Sequence, residues 1–315
     1  MKQYIGVDIG GTKIAIVKGD ELGNVTNKIR FDNNGCVSDC LGRIVDAVKE
    51  MGEADAIGIS CGGPLDAEKG LILSPPNLPG WDEIAIVKLL QDATGIPAFL
   101  QNDADACALA EWKFGAGQGT RNMIFLTFGT GLGAGLILNG ALYSGSCGMA
   151  GEVGHMALEK DGPVGYGKAG SFEGFCSGGG LRQLGVAKAR QMLNEGLTPS
   201  FCPDEASLPA VTAQKIAQFA NAGHEDALAV YRQCGEMLGR GLAVLVDILN
   251  PERIVIGSIY ARASHLLDEA MYKSLTEQAL SQSLKACKIL PAALGESIGD
   301  VAALSVAVNG LQRRN

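Results

Sequence analysis

The sequence contains one strand-turn-strand pattern twice. The first copy is IGVDIGGTKIAIVKG (5–19) and the second is IFLTFGTGLGAGLILNG (124–140). Each copy has an apolar strand with a polar residue near its end, a glycine-threonine turn, and a second apolar strand that ends in glycine. A repeat of this kind predicts a fold built from two related α/β halves with a cleft between them.

The glycine-threonine turns indicate phosphate binding. Glycine lets the backbone bring its N–H groups close to a phosphate, and the threonine hydroxyl adds a donor. Asp8 stands at the end of the strand before the first turn, where a carboxylate can hold Mg²⁺ directly or through water. A single turn is equally compatible with a tight hairpin that binds nothing, so it is the second copy that favours a phosphate site.

The remaining pattern alternates between strands and helices and predicts α/β domains with a mixed sheet. Three strands at 4–8, 14–19 and 25–31 predict an antiparallel meander. A helix with a serine cap is predicted at 38–51 and a capped helix from Asp82 to Thr94, followed by Gly95. The other predicted elements are strands at 56–60, 97–101, 253–257 and 287–291 and helices at about 104–113, 227–249 and 261–283.

These elements predict two domains. The smaller N-terminal α/β domain covers residues 1–117, and the larger C-terminal α/β domain covers residues 118–299. The last helix, at about 300–315, carries Val301, Leu304, Ala307 and Leu311 on one stripe, so we expect it to pack back onto the first domain.

Composition limits the partners that the chain can have. It has 315 residues, a net charge of −8 and no basic run longer than Arg313-Arg314, which argues against binding to a nucleic-acid backbone. The longest uncharged stretch is interrupted by glycines and does not indicate a membrane span. The nine cysteines show no disulfide framework spacing, and the strand pattern at the N-terminus leaves no room for a signal sequence, so a cytoplasmic location is expected.

Several segments resemble the motifs of the ROK family of sugar kinases and sugar-responsive repressors. They are VDIGGTKIAI, SPPNLPGW, QNDADACALAEW, TFGTGLGAGLILNGALYSGSCGMAGEVGH and DILNPERIVIG, and they occur in the family's order over nearly the whole chain. The resemblance implies two ribonuclease-H-like domains around a central cleft, as in actin and hexokinase. The family's repressors carry a helix-turn-helix domain before the first phosphate motif, so Asp8 near the start predicts the kinase branch.

The resemblance also implies a glucokinase-like site for transfer from ATP, with Asp103 as the general base toward a sugar hydroxyl. Asn102 and Asp103 can equally cap the helix that begins at Ala104, and the two roles are compatible. The implied sugar-binding residues are Gly63, Asn102, Asp103, Glu152, His155 and Glu173. The implied ATP- and phosphate-binding residues are Asp8, Gly10, Gly11, Thr12, Lys13, Thr130, Gly131 and Gly257, with Mg²⁺ at Asp8. Lys13 can also be a solvated strand residue, and Gly257 part of a buried strand.

The loop after His155 departs from the family's pattern. Most ROK proteins carry three cysteines there, in a CxCGxxGCxE pattern that closes a structural zinc site with the histidine. The corresponding residues here are Val164, Tyr166 and Ser171, so we expect no zinc. His155 is then interpreted as a sugar contact, with a structural histidine as the alternative, and packing by Val164, Tyr166 and Phe172 is expected to hold the loop.

Three functions fit these observations. An ATP-dependent sugar kinase of carbohydrate metabolism is favoured by Asp8, both turns, Asn102 and Asp103. A sugar-binding regulator without catalysis and an actin-like nucleotide-binding assembly protein are the alternatives. Glucose is the default substrate, while other hexoses, hexosamines, β-glucosides and a donor other than ATP stay open. Dimers are frequent in the family, so a homodimer is expected.

Overall fold

The computed structural model describes residues 2–314, which form two compact units. Unit 1 contains the residues up to Phe125, Gly135–Ala150 and the residues from Ala293 onward, and unit 2 contains Leu126–Ala134 and Gly151–Ala292. The units therefore differ in extent from the domains predicted at 1–117 and 118–299.

The first sheet combines an antiparallel meander with parallel strands. Its strand order is β3-β2-β1-β4-β7, in which β1, β2 and β3 pair antiparallel and β4 lies parallel to both β1 and β7. The meander predicted from residues 4–31 is thus confirmed. The strands are β1 (Gln3–Ile9), β2 (Lys13–Asp20), β3 (Val25–Asp32), β4 (Ala56–Cys61), β5 (Leu65–Asp66), β6 (Leu71–Ile72) and β7 (Ala98–Asn102), with β5 and β6 forming a separate small hairpin.

Three helices accompany these strands: α1 (Val37–Glu50), α2 (Ile86–Thr94) and α3 (Asp103–Phe114). The predicted serine cap of α1 is wrong, because the helix follows Cys36 without a side-chain cap. The predicted start of α2 at Asp82 is also wrong. Asp82 accepts a hydrogen bond from the Ser74 hydroxyl, and Glu83 has a φ of 51°, which a right-handed helix does not allow. The helix ends before Gly95, as predicted.

The second sheet repeats the arrangement of the first, with the order β10-β9-β8-β13-β14. Two of the four boundaries between the units fall within β8 and β9. The strands are β8 (Met123–Phe128), β9 (Leu132–Leu138), β10 (Ala141–Leu142), β11 (Val164–Gly165), β12 (Lys168–Ala169), β13 (Arg253–Ile256) and β14 (Lys288–Pro291), of which β11 and β12 form a separate hairpin. The helices are α4 (Phe172–Phe175), α5 (Gly178–Asn194), α6 (Ala213–Asn221), α7 (Glu225–Leu249), α8 (Ile259–Gln278) and α9 (Ser281–Ala286).

The helix predicted at 261–283 is divided into α8 and α9. Ala279 has extended backbone angles and interrupts the helical path. The N–H of the next residue, Leu280, donates to Asp247 Oδ1 at 2.8 Å. The apolar spacing continues across this break, which is why the sequence pattern predicted one helix.

The segment 135–150 belongs to unit 1 because it packs on α3. Gly135 lies so close to the helix that a methyl group at this position would be 2.5 Å from the Ala108 methyl and 2.6 Å from the Ala104 carbonyl oxygen. Farther along, the Ser144 hydroxyl donates to Asp105 Oδ2 at 3.2 Å. These contacts explain why the compact units do not follow a simple division of the sequence.

The helix α10 (Ile298–Arg314) lies directly on the backbone of the first sheet. Gly6 and Gly58 are paired across β1 and β4, and their lack of side chains allows this approach. A methyl group on Gly58 would collide with the Ala303 carbonyl oxygen and the Ala307 nitrogen. The apolar cluster between sheet and helix contains Tyr4, Val17, Ala56, Leu304, Ala307 and Val308. The opposite sheet face is covered by α1 and α2.

None of the helices within residues 2–314 combines the length and the apolar character that crossing a membrane requires.

Candidate functional site

The candidate site in unit 1 lies at the carboxyl ends of three parallel strands. The register places Ile9, Cys61 and Asn102 at the same level of β1, β4 and β7. The residues next to them, Asp8 on β1 and Asp103 after β7, therefore reach the same edge of the sheet. Open α/β sheets bind their ligands at this edge.

Asp103 is the first residue of α3. Its Oδ1 accepts the Ala104 N–H at 2.8 Å, and Asn102 Oδ1 accepts the same N–H at 2.9 Å, so Asn102 does cap the helix. The other oxygen, Asp103 Oδ2, faces Gly62, where a methyl group would lie 3.8 Å away. Although the residue is exposed, surrounding protein atoms partly desolvate the carboxyl and raise its pKa, against the lowering effect of the backbone hydrogen bonds.

Asp8 is a half-buried carboxylate close to Asp103. Burial, then the charge of Asp103 and then that of Asp300 raise its pKa from 3.8 to about 6, against the opposing effect of Lys28 and Arg30. Within residues 2–314 no group donates a hydrogen bond to it. The Asp103 charge disfavours ionisation of Asp8. A divalent cation beside Asp8 would relieve that repulsion, so this pair of carboxylates fits a cation site.

The first glycine-threonine turn presents free backbone donors. Gly10 closes the turn by donating its N–H to the Lys13 carbonyl at 3.0 Å, and Asn33 binds the Gly10 and Thr12 carbonyls at 3.1 and 2.9 Å. Neither Gly11 nor Thr12 donates its N–H to another group in the described part of the chain. This turn fits a phosphate. Lys13 is exposed at the start of β2, so both of its interpretations remain predictions.

The second turn has the same construction in unit 2. Gly129 donates its N–H to the Gly131 carbonyl at 3.1 Å, and its own carbonyl accepts the Gly178 N–H at 2.8 Å. Thr130 is exposed, and neither its N–H nor that of Gly131 is donated to another described residue. This turn therefore also fits a phosphate group.

Gly257 lies beside this turn at the end of β13. It is buried, and its N–H donates to the Leu126 carbonyl at 2.9 Å. The next residue, Ser258, has a φ of 54°, and its hydroxyl oxygen would lie 3.5 Å from a methyl group on Gly129. Ser258 thus borders the second turn in a strained backbone conformation, which sequence reasoning did not detect.

Glu173 connects the predicted sugar-binding segment with the second turn. Its Oε2 accepts the Leu132 N–H at 2.9 Å and would lie 2.7 Å from a methyl group on Gly131. Glu152 and His155 are exposed, and His155 ends a short 3₁₀ helix, Val153–His155. All three residues belong to unit 2.

The loop that lacks the family's cysteines is held by hydrogen bonds and one ring contact. Tyr166 meets the His155 ring edge-on at a centroid distance of 5.3 Å. Ser171 is fully buried and accepts the Gly174 N–H at 3.0 Å, so it caps α4. The expected packing of Val164 and Tyr166 is wrong, because these residues are 47% and 72% exposed. Phe172 is fully buried, as expected. Gln183 instead bonds the Val164 N–H and carbonyl, each at 2.9 Å.

These residues do not fit a structural zinc ion. None of the three positions supplies a thiolate, which is the ligand that such sites use. In the described part of the chain, no group of three or more His, Cys, Asp and Glu side chains is placed to hold a metal ion.

Chelation should therefore leave the loop intact. We expect the purified protein to contain less than stoichiometric zinc, and its melting temperature to stay the same after dialysis against EDTA. Metal analysis and thermal melts of treated and untreated samples measure this. One zinc per chain, or a melting temperature that falls with EDTA and returns with zinc, would contradict the prediction.

Two further residues of unit 1, which the sequence did not indicate, contact the first turn. Asn33 holds the first turn through its side chain and backbone, as described above. Asn77 contacts Gly11 through its carbonyl oxygen and borders the space above Gly62. The only available signal for Asn77 was its position in SPPNLPGW, a segment that no local pattern connects with the phosphate turn.

The family model described as the ROK family matches residues 4–309. The chain belongs to the ROK family. It is 31% identical over 314 residues to a glucokinase of Thermotoga maritima, an alignment that covers 96% of each chain. It is also 31% identical over 265 residues to a xylose repressor of Caldicellulosiruptor bescii, covering 81% of this chain and 65% of the repressor.

Among solved structures, a ROK family glucokinase from Streptomyces griseus, in complex with glucose and AMPPNP, matches with a TM-score of 0.77 at 29% identity. The match covers 99% of this chain and all of the glucokinase. This ROK protein has the two-domain α/β fold of the actin and hexokinase type, so the predicted fold class is confirmed.

Proposed function

We propose that the protein is an ATP-dependent sugar kinase that phosphorylates a hydroxyl group of a hexose or hexose derivative. The observation that carries the proposal is the pair of carboxylates, Asp8 and Asp103, at one sheet edge beside a turn with free N–H donors. A phosphoryl transfer enzyme needs these parts: a base for the acceptor, a cation-binding carboxylate and donors for phosphate oxygens.

Asp103 is the proposed general base. Its Oδ1 is fixed by the Ala104 N–H, and this leaves Oδ2 to accept the proton of the attacking sugar hydroxyl. The surrounding protein raises its pKa, which makes the carboxylate a better proton acceptor near neutral pH. Asn102, which caps α3 through Oδ1, has amide N–H donors left for sugar hydroxyls.

The phosphate groups of ATP are proposed to lie against the two glycine-threonine turns. In unit 1, Gly11 and Thr12 would donate their N–H groups, and Asp8 would hold Mg²⁺ directly or through water. When bound, Mg²⁺ would neutralise negative charge on the phosphate oxygens. In unit 2, Thr130 and Gly131 would donate to phosphate, with Gly257 near the nucleoside.

Sugar recognition is proposed for residues of unit 1 and, separately, for residues of unit 2. Gly63 and Asn102 supply it in unit 1, where a methyl group on Gly63 would lie 3.3 Å from Asn102 Nδ2. Glu152, His155 and Glu173 supply it in unit 2. Carboxylates and an imidazole suit a polyhydroxy ligand because they accept hydrogen bonds from its hydroxyl groups. The relatives that are glucokinases support glucose as the first substrate to test.

The proposal is tested by measuring ADP release with Mg-ATP against glucose, mannose, fructose, N-acetylglucosamine, N-acetylmannosamine and β-glucosides. Turnover on one of these sugars that requires both ATP and Mg²⁺ would support it. Absence of turnover over the whole panel, in protein that is folded and binds ATP, would contradict it.

A sugar-binding regulator without catalysis is the second candidate, favoured by the identity to the xylose repressor. The same panel separates the two functions when sugar binding is measured by calorimetry. Binding of a sugar without ADP release indicates the regulator, and binding with ADP release indicates the kinase.

The raised pKa of Asp8 predicts how stability depends on pH. The folded protein holds the proton of the Asp8 carboxyl more tightly than the unfolded chain does. The protonated carboxyl therefore contributes stability that is fully present below about pH 4 and is lost as pH rises to about 6. The charged groups that shift the pKa of Asp8 are Asp103, Asp300, Lys28 and Arg30. Without Mg²⁺, the Asp8→Asn variant should therefore melt at a higher temperature than the wild type at pH 7.5.

Thermal melts of both proteins from pH 4 to 8 measure this difference. We expect the two melting temperatures to converge toward pH 4 and the Mg²⁺-induced stabilisation to be absent in the variant. Equal melting curves at every pH, with equal responses to Mg²⁺, would show that Asp8 is neither perturbed nor a cation ligand.

A further inference from the structure

The loop between β6 and α2 is held by internal hydrogen bonds, and its middle part borders the candidate site. The Ser74 N–H donates to the Trp81 carbonyl at 3.0 Å, and the Ser74 hydroxyl donates to Asp82. Leu78 and Trp81 are almost completely buried and anchor the loop in the core. Ser74 also has a φ of 54°, a conformation that persists only where the surroundings fix it.

Asn77 is one of the exposed residues of this loop. Both of its amide atoms would lie 3.5 Å from a methyl group on Gly62, and Asp103 Oδ2 would lie 3.8 Å from the same group. The Asn77 amide and the proposed catalytic carboxylate therefore border the same space. In the part of the chain that the structure describes, no group hydrogen-bonds this amide, so its donor and acceptor are available to a ligand.

We propose that Asn77 is a specificity-determining residue, which hydrogen-bonds a hydroxyl of the acceptor sugar beside the hydroxyl that faces Asp103. This inference rests on the proposed kinase function. A primary amide suits the role, because it can donate to and accept from one hydroxyl and adds no charge beside Asp8 and Asp103. A sugar without that hydroxyl, or with it in the other configuration, leaves the amide unpaired and binds more weakly.

The backbone of Asn77 also touches the first phosphate turn. A methyl group on Gly11 would lie 2.6 Å from the Asn77 carbonyl oxygen, which is closer than van der Waals contact. The position of the sugar-binding amide therefore depends on the turn that is proposed to bind ATP. Gly11→Ala should displace Asn77 and weaken sugar binding even when no nucleotide is present.

The test is calorimetry of sugar binding without nucleotide, using the hexose of the panel that binds tightest and its monodeoxy derivatives. Because Asn77→Ala removes one neutral hydrogen bond, we expect it to weaken binding of the parent sugar about 2- to 10-fold. One deoxy sugar should lose affinity on the wild type but little or none on the variant, because both changes remove the same bond. Pro76→Ala changes the exposed neighbour and keeps the amide, so it is the matched control.

Asn77→Asp is the second variant, because it keeps the side-chain shape while removing the amide donor. We expect it to lose affinity for the parent sugar as Asn77→Ala does. If every deoxy sugar loses the same factor on Asn77→Ala as on the wild type, Asn77 contacts no hydroxyl and this inference alone fails. If the wild type binds no sugar of the panel, the proposed function fails and the inference with it.

Discussion

Replacing Asp103 by asparagine is expected to lower kcat by about 100- to 10,000-fold, the usual contribution of a well-placed general base. Asparagine keeps the oxygen that accepts the Ala104 N–H, so α3 should remain capped and the fold unchanged. The change removes only the group that accepts the proton from the sugar hydroxyl. We therefore expect the loss in kcat, with sugar affinity altered far less.

Steady-state kinetics with the best sugar, together with calorimetry of sugar binding and thermal melts, measure this prediction. Asp92→Asn is a suitable control, because Asp92 forms an exposed ion pair with Lys88 on α2 and lies outside the candidate site. Activity in Asp103→Asn within a few-fold of the wild type would exclude Asp103 as the base. A variant that is inactive because it is unfolded would be recognised by its melt.

Replacing Gly58 by alanine should destabilise the protein by about 3 kcal/mol, at the upper end of the range for overpacking. The new methyl group would meet backbone atoms of Ala303 and Ala307, and a helix backbone cannot move aside as a flexible side chain can. The result would be displacement of α10 from the sheet. Denaturant titration and thermal melts measure the effect.

Gly42→Ala is the matched control for this substitution. Gly42 is exposed within α1, and a methyl group there would have no neighbour within 4 Å. Alanine should stabilise this helix by about 0.5–1 kcal/mol, because glycine costs more backbone entropy on folding. The same chemical change is thus expected to have opposite signs at the two positions. A neutral effect of Gly58→Ala would mean that α10 does not lie on the sheet as described.

The parts of the fold that depend on local pattern could be predicted from the sequence. The meander of β1, β2 and β3 follows from alternating apolar residues and glycine turns, and Asn102 could be expected to cap α3 because it precedes a helical run. The repeated turn predicted two related sheets, and both sheets have the corresponding strand order. These features involve residues that are near one another in the chain.

The features that were missed depend on contacts between distant residues. The start of α2 is set by the bond between Ser74 and Asp82, and no helix-capping rule predicts that Asp82 has this other partner. Val164 appeared suited to packing by its residue type, yet its backbone is bonded by Gln183 and its side chain points to solvent. Asn77 reaches Gly11 and Gly62 only because the loop folds back over the strand ends.

The position of α10 has a consequence for how the protein folds during translation. The ribosome synthesises this helix after the whole of unit 2, yet it covers one face of the sheet that contains β1. Until then, Tyr4, Val17 and Ala56 on that face lack the partners that they have in the finished protein. The nascent chain must therefore carry an uncovered apolar face through most of its synthesis, and a fragment that ends before α10 should bind chaperones or aggregate.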